Sequence, residues 1–426
     1  MSSDTPTADT VEDLESFRAR AREWVRGNLR RVDGPQLGLH AGRTTEEELA
    51  DVAEARALQR KFHDAGFAGI TVPKEYGGLG LSREYQDALN GELIGYEYTA
   101  RLQIPTINPC MAVLLDFGTH EQKLEHVPKI LRGEEIWIQF LSEPSGGSDV
   151  AGALTTAVRD GDEWVLNGAK VWSSGAWWSD WALCLVRTNW DAPKHRGLTV
   201  FMLPINAEGV EVRRTEMING STDFCEEFLN DVRVPDTDRV GDVNDGWTVG
   251  TRWMVHERIA FNSPLCTGPR GSSHGAEGAS LVGTAAEYGR LNDPVARDLI
   301  GSVRALEVAG EYLNKRIGRG AITGLGHPQA PAIGRLHSGL SQVRRRTVLF
   351  ELAADEGAIW GEEHDTDPDA PLDPPGLEFL MRQVSCIGGG TTEIARNVIS
   401  ERILGMPREP APDRDVNFRD VPRGTR

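Results

Sequence analysis

The segment TTAVRDGDEWVLNG, Thr155 to Gly168, lies where the sequence changes from helical to strand patterning. Two runs rich in Val, Thr and Trp flank Asp160-Gly161, a dipeptide typical of the tight turn of a β-hairpin. Strand patterning continues through the apolar runs WALCLVRT and GLTVFMLPI and ends near FLNDVRVPDTDRVGDVNDGW. The sequence therefore predicts a middle β-barrel-like domain over residues 136–243.

Helical periodicity surrounds this β domain on both sides. Before it, apolar residues recur every three or four positions and predict helices over residues 10–31, 46–64, 83–98 and 121–131. After it, helical patterning returns at Trp247 and continues to about Leu404. The Asp- and Pro-rich segment 361–376 interrupts that pattern and predicts a surface loop.

The order of helices, strands and helices predicts a multi-domain α+β protein. We place an N-terminal α-helical domain at 1–135 and a C-terminal four-helix bundle at 244–407. The last segment, 408–426, is polar and rich in Pro, so we expect it to fray.

Composition limits the classes of function. The 426 residues are 39% hydrophobic and 26% charged, as in an ordinary globular enzyme, and no apolar run approaches the ~18 residues of a membrane span. A net charge of −18 argues against a nucleic-acid partner, and the acidic N-terminus lacks targeting features, which predicts a cytoplasmic protein. The five cysteines form no CxxC pair, so we predict neither a disulfide framework nor a metal site.

Two motifs carry residues suited to a flat ligand. FLSEPSGGSDV, residues 140–150, offers hydroxyls and approachable backbone N–H groups, although an ordinary turn is an alternative reading. In NGAKVWSSGAWW, residues 167–178, Trp172 and Ser174 are two positions apart on a strand and so share a face. An aromatic plane beside a hydroxyl can hold a planar heterocycle; the alternative is that the tryptophans belong to the core.

Together with these two motifs, four further stretches indicate a protein family. They are TVPKEYGGLG (71–80), GTHEQKLEHVPKILRGE (118–134), HERIA (256–260) and GGGTTEIARNVISERILGMPRE (388–409). Over nearly its full length the chain resembles the FAD-dependent acyl-CoA dehydrogenases. The resemblance implies FAD bound between the β domain and the C-terminal helices. It implies oxidation of a saturated acyl-CoA to the trans-2-enoyl-CoA, by α-proton abstraction and β-hydride transfer to flavin N5, as in β-oxidation. It also implies an electron-transferring flavoprotein as partner.

The resemblance also implies roles for single residues. Leu141, Ser142, Trp172 and Ser174 match positions that line the isoalloxazine ring. Ser148 matches a position at the boundary between cofactor and substrate. Thr391 and Glu393 match the turn that contacts the adenosine half of the cofactor.

The catalytic base requires a separate argument. Many family members place a Glu directly before the Gly-Thr of the last motif, but this chain has Gly389 there. A second family position, on the first C-terminal helix and before an Arg, matches Glu257 and Arg258. No helical neighbour three or four positions away could neutralise Glu257, so burial would raise its pKa as a base requires; a Glu paired with a distant Lys or Arg is the alternative. The adjacent His256 is expected to be structural.

We therefore predict Glu257 as the base and Arg258 as a substrate contact. The backbone N–H of Gly389 is predicted to donate to the thioester oxygen, because glycine loses the side chain but keeps its amide. The missing side chain also predicts a branched or bulky acyl group.

The chain departs from the family at the Arg-x-x-Phe motif, where it has Tyr288 and Leu291. Arg290 or Arg297 could substitute. Such losses occur in branches where two different chains share the flavin sites, so a homotetramer or homodimer is expected and a heterotetramer stays an alternative. Two other functions remain open: a flavin monooxygenase or oxidase on the same fold, and a non-catalytic subunit of a hetero-oligomer.

Overall fold

The computed structural model of the chain describes residues 12–32, 36, 43–269, 280–358 and 375–422. Helices, then one sheet, then helices follow one another in the predicted order. Within those ranges every helix is too short or too polar to cross a lipid bilayer.

The N-terminal domain packs helices around an aromatic and aliphatic core. Its helices are α1 (Leu14–Asn28), α2 (Thr45–Asp64), α3 (Arg83–Glu92), α4 (Ala100–Leu102), α5 (Ala112–Phe117) and α6 (His120–Leu131). Helices α2 and α6 begin with capping boxes at Thr44 and Thr119, which satisfy the first free N–H groups of each helix. Helix α3 ends before the predicted limit of residue 98, because Gly95 adopts a positive φ of 78° that a right-handed helix does not allow.

The middle domain is an eight-stranded sheet. Its strands are β1 (Trp137–Phe140), β2 (Thr156–Asp160), β3 (Glu163–Ser174), β4 (Trp181–Arg187), β5 (Leu198–Pro204), β6 (Val210–Thr215), β7 (Phe224–Pro235) and β8 (Arg239–Val240). Their order is β6-β7-β3-β2-β4-β5-β8, with β1 parallel to β4. The predicted hairpin is present: Asp160 pairs with Glu163, so Gly161 and Asp162 form the turn.

Strand β4 is buried on both of its faces. Leu183 and Leu185 belong to a cluster that includes Trp137 and Trp253, whereas Cys184 packs in a second cluster on the other face. A strand covered on both faces reads as a continuous apolar run, which is the pattern of WALCLV. The first cluster joins the sheet to the N-terminal helices and to the first C-terminal helix.

The C-terminal region is helical, with α7 (Gly246–Arg258), α8 (Leu281–Glu287), α9 (Pro294–Thr323), α10 (Pro331–Ala353), α11 (Pro375–Met381) and α12 (Thr392–Val398). Helices α9 and α10 pack along each other. Most of the predicted 361–376 loop lies outside the described residues, but Pro375 and Gly376 begin α11, so the loop does not extend that far.

The expectation that the tail frays is wrong for residues 418–419. Phe418 is 4% exposed, and its ring lies 3.8 Å from the buried guanidinium of Arg187. The N–H groups of Phe418 and Arg419 donate to the carbonyls of Ala192 and Trp190 at 2.9 and 3.0 Å. One aromatic residue in a polar segment is thus enough to attach it to the sheet domain, because its burial offsets the ordering of the backbone.

Candidate active site

Trp172 stands out from the surface of β3. A β-bulge interrupts the pairing of β3 with β7 between Val171 and Ser173, and Trp172 has a positive φ of 68° there. The residue is 54% exposed, and its ring meets the edge of Phe224 at 5.7 Å between ring centroids. Ser174 is also exposed, and Ser173 is buried between the two residues.

The first motif lies directly beside this strand. The N–H of Val171 donates to the carbonyl of Ser142 at 3.0 Å, and the ammonium of Lys170 donates to the carbonyl of Leu141 at 3.3 Å. Leu141 and Ser142 are both half-buried. These two hydrogen bonds, from the Lys170 side chain and the Val171 backbone, bring Leu141 and Ser142 next to the segment that contains Trp172.

Ser148 is exposed in the loop that follows. An ion pair between Lys194 and Asp149, at 3.0 Å, holds the residue after it. The structure thus places Ser148 at the open edge of the loop, with its hydroxyl available to a ligand.

Glu143 is structural. Its carboxylate accepts from the N–H groups of Leu154 and Thr155 at 2.6 and 3.0 Å and pairs with the fully buried Lys170 at 2.9 Å. Burial opposes ionisation, but the Lys170 charge and these hydrogen bonds hold the pKa of Glu143 below its usual value.

Glu257 lies in the last turn of α7 and is partly buried. Across the described ranges it makes no hydrogen bond or ion pair. Burial raises the pKa of its carboxyl, and the neighbouring charge of Arg258 opposes that shift only in part. The negative charge of Glu257 also contributes, after burial itself, to the raised pKa of Cys110.

His256 has a structural partner, as expected. Its Nε2 lies 2.8 Å from Oδ2 of Asp116, which also pairs with Arg252 at 2.6 Å. The His256 side chain is thereby fixed toward α5. Of the two adjacent candidates for a base, only Glu257 is free in this part of the chain.

The glycine turn comes close to the end of α7. Gly389 and Gly390 have positive φ values of 69° and 101°. A Cβ on Gly389 would meet nothing within 4 Å, and a Cβ on Gly390 would lie 4.0 Å from Nε of Arg258. The structure therefore brings Arg258, next to the candidate base, against the turn that contains Gly389.

Thr391 and Glu393 begin α12. Thr391 is the N-cap, and its Oγ1 accepts from the N–H of Ile394 at 3.1 Å. The Glu393 carboxylate is largely exposed and pairs with Arg396 at 3.0 Å. Both of these contacts lie within α12, so the role of the two side chains toward the cofactor stays a prediction.

Arg290 and Arg297 are the two candidates to replace the arginine of the missing Arg-x-x-Phe motif. The side chain of Arg290 already has partners within the chain. It pairs with Asp293 at 2.6 Å and donates to the carbonyl of Glu351 at 2.6 Å. Arg297 is exposed on α9 and has no ion pair among the residues that the structure describes. Arg297 therefore remains the candidate for an anionic ligand, and Arg290 does not.

The residues around Trp172 fit a flat, hydrogen-bonding cofactor such as FAD. The indole ring of Trp172 is largely exposed, and its backbone has a positive φ. Ser174 and Ser148 are exposed as well. A large exposed Trp held at positive φ is costly without a function, which supports a ligand against its face.

Two residues near the site were not predicted. Glu227 is fully buried behind Trp172 and bonded to Ser173, and Arg335 of α10 holds the glycine turn. An inward-facing Glu in the strand sequence CEEFL was a readable signal for the first. Nothing in the helical pattern distinguished Arg335 from the other arginines of α10.

Comparison with known proteins agrees with this geometry. The family descriptions "Acyl-CoA dehydrogenase, N-terminal domain" and "Acyl-CoA dehydrogenase, middle domain" match residues 12–134 and 139–232. The acyl-CoA dehydrogenase IpdE1 of Mycobacterium tuberculosis is 33% identical over 410 residues, covering 94% of this chain and 99% of that protein.

Solved structures show the same fold over nearly the whole chain. The "Tcur3481-Tcur3483 steroid ACAD" has a TM-score of 0.73 and 28% identity, covering 94% of this chain and 100% of that one. The ChsE4-ChsE5 complex from Mycobacterium tuberculosis has a TM-score of 0.67 and 27% identity, covering 96% and 99%. This chain belongs to the acyl-CoA dehydrogenase family, flavin-dependent oxidoreductases that act on CH–CH bonds.

Proposed function

We propose that the chain oxidises a saturated acyl-CoA to the trans-2-enoyl-CoA, with Glu257 as the α-proton base. The observation that carries this proposal is the partly buried carboxylate of Glu257, which has a raised pKa and no ion-pair partner in the described ranges, next in sequence to Arg258, which approaches the glycine turn. A base for a thioester α-proton needs this environment, since desolvation without a cation raises its proton affinity.

The other residues of the site orient the thioester. The N–H groups of Gly389 and Gly390 donate to no acceptor within the described chain, so that of Gly389 is available to the thioester oxygen. A donor at that oxygen stabilises the negative charge that develops when Glu257 removes the proton. Arg258 lies against the same turn and adds positive potential.

FAD, when bound, supplies the acceptor for the β-hydride. We propose that Leu141, Ser142, Trp172 and Ser174 hold its ring system and that Ser148 lies where cofactor and substrate meet. Thr391 and Glu393 are proposed for the adenosine half. An electron-transferring flavoprotein is the proposed electron acceptor.

We propose a bulky or branched acyl group as substrate. A Cβ at Gly389 would meet nothing within 4 Å, so the turn leaves room for a large group at this position. One of the two solved relatives above is named as a steroid enzyme, which agrees with a ring-bearing acyl group.

We propose that the chain works as an oligomer built through its C-terminal helices. Large apolar side chains are exposed in the C-terminal region, including Val295, Tyr312, Leu325, Leu340 and Ile387. Where such side chains form one patch they mark an interaction surface, and we propose that these do. Both of those solved relatives are named as pairs of different chains, which favours a partner of a different sequence over the homo-oligomer that the surviving site residues favoured.

The test is to purify the chain alone, record its flavin spectrum and mass, and titrate straight, branched and polycyclic acyl-CoAs without oxygen. Bleaching of the flavin by an acyl-CoA supports the dehydrogenase. Rapid reoxidation of reduced enzyme by air, with hydroxylation of a small substrate, would support a monooxygenase instead. A chain that binds flavin and acts only after a second chain is added would show a shared site.

A further inference from the structure

Arg335 of α10 donates hydrogen bonds to the backbone of the glycine turn. Its two terminal nitrogens donate to the carbonyls of Ser385 and Gly388, each at 2.8 Å. The guanidinium is half-buried, and no carboxylate pairs with it in the described ranges. A cation placed only on backbone carbonyls is unusual, because partly buried arginines normally face carboxylates.

The carbonyl of Gly388 belongs to the same peptide group as the N–H of Gly389. In a trans peptide these two groups point in opposite directions, so a carbonyl directed at Arg335 sends the N–H away from α10. A positive charge on the carbonyl oxygen also polarises the peptide and strengthens its N–H as a donor.

The packing of α10 allows this contact. Gly339 lies one turn after Arg335, and a Cβ there would approach Cγ2 of Thr392 to 2.8 Å and the carbonyl of Ser385 to 3.1 Å. Only a glycine lets the turn and α12 lie this close to Arg335. Burial and the nearby charge of Arg258 lower the pKa of Arg335, but an arginine stays protonated at neutral pH.

We propose that Arg335 is a positioning residue for the reaction: it orients and polarises the Gly388–Gly389 peptide so that the N–H of Gly389 binds the thioester oxygen. This inference rests on the proposed function. Arg335 acts through the peptide and does not touch the substrate.

The test measures enolate stabilisation without turnover. The holoenzyme is incubated in D2O with the octanoyl-CoA analogue in which sulfur replaces the β-carbon, and exchange of its α-protons is followed by NMR. The carbonyl stretch of the same ligand, labelled with ¹³C, reports polarisation of the thioester. Arg335→Gln should slow exchange about tenfold, less than the hundredfold or more lost with a direct oxyanion donor. The red shift of the carbonyl should shrink as well.

Arg346→Gln is the matched control. Arg346 lies on the same helix, pairs with Glu378 at 2.8 Å, and donates to the carbonyl of Met381 and the hydroxyl of Ser385 at 3.1 and 3.3 Å, without contacting Gly388. The α-proton exchange rate of Arg346→Gln should stay within about twofold of the wild type. Arg346 supports the segment that precedes the glycine turn but does not contact the Gly388–Gly389 peptide. Equal losses in both variants would mean a merely structural role and overturn the inference.

Arg335→Lys keeps the charge but not the forked geometry, so it should fall between the wild type and Arg335→Gln. It also serves if Arg335→Gln does not fold. If the wild type exchanges the α-protons and both Arg335 variants do so at the same rate, this inference is overturned while the proposed function stands. A wild type that exchanges the α-protons of no member of the straight, branched and polycyclic acyl-CoA panel would overturn the proposed function, and the inference with it.

Discussion

Ser173 donates a hydrogen bond to the carboxylate of Glu227 inside the sheet domain, behind the strand segment that presents Trp172 and Ser174. Glu227 is fully buried, and its second oxygen has no partner in the described part of the chain. Lys170 lies opposite Glu227 on the paired strand, but its ammonium bonds to Glu143. Burial therefore dominates and raises the pKa of Glu227 to about 7.

Glu227 should make the stability of the fold depend on pH. Its carboxyl binds a proton more tightly in the folded state than in the unfolded state, so its contribution is fully present below pH 4.5 and is lost as the pH rises through about 7. The difference between 4.5 and about 7 corresponds to roughly 3 kcal/mol. Glu227→Gln should remove this decline, as measured by urea unfolding at pH 5 and pH 8. If the stability of the variant fell by as much between pH 5 and pH 8, another titrating group would be responsible for the pH dependence.

Glu257→Gln should lower the rate of flavin reduction by an acyl-CoA by about a thousandfold, the loss expected for a general base. Flavin binding should persist, since the side chain is isosteric. Glu125→Gln, an exposed residue of α6, is the control and should leave the rate unchanged. Normal reduction by the Glu257 variant, followed by stopped-flow absorbance, would remove Glu257 from the mechanism.

The pH profile of the wild type gives an independent check on Glu257. Only the carboxylate form accepts a proton, and burial raises the pKa of this group. Reduction should therefore slow, as the pH falls, at a higher pH than an ordinary carboxyl near 4.5 would give. Glu257→Gln should abolish that limb of the profile.

Gly389→Ala should narrow the substrate range with little effect on folding. The added Cβ meets nothing within 4 Å, but the positive φ of 69° costs about 1 kcal/mol. We expect kcat/KM for a polycyclic acyl-CoA to fall more than that for a straight-chain one. Equal losses with both substrates would show that the space beside Gly389 does not hold the acyl group.

Phe418→Ala should destabilise the protein by about 3 kcal/mol, because it empties a buried contact on Arg187. Arg419→Ala is the matched control. Its ion pair with Asp191 is more than half exposed, so its loss should cost under about 1 kcal/mol. Denaturant unfolding measures the stability of both variants. Equal unfolding midpoints for Phe418→Ala and Arg419→Ala would mean that the tail does not support the fold.

Much of the site could be predicted because it lies on local patterns. Trp172 and Ser174 are both exposed, as the motif suggested, although a β-bulge interrupts the strand at Trp172, and Thr391 caps α12 as its position before the helix predicted. The attachment of Phe418 could not be predicted, since it depends on contacts with residues 187–192, which are distant in sequence. Arg290 and Arg297 looked equivalent in sequence and differ only because Asp293 and Glu351 lie beside Arg290.

The sequence by itself determined the order of domains, the family and the two places where a base could stand. These follow from periodicity and from short motifs, which depend on residue type and spacing alone. Only the tertiary structure decided that Glu257 lacks a partner within the described ranges while His256 has one, and that Arg258 meets Gly390. Ionisation and hydrogen bonding depend on which groups from distant segments surround a side chain, and packing alone fixes that.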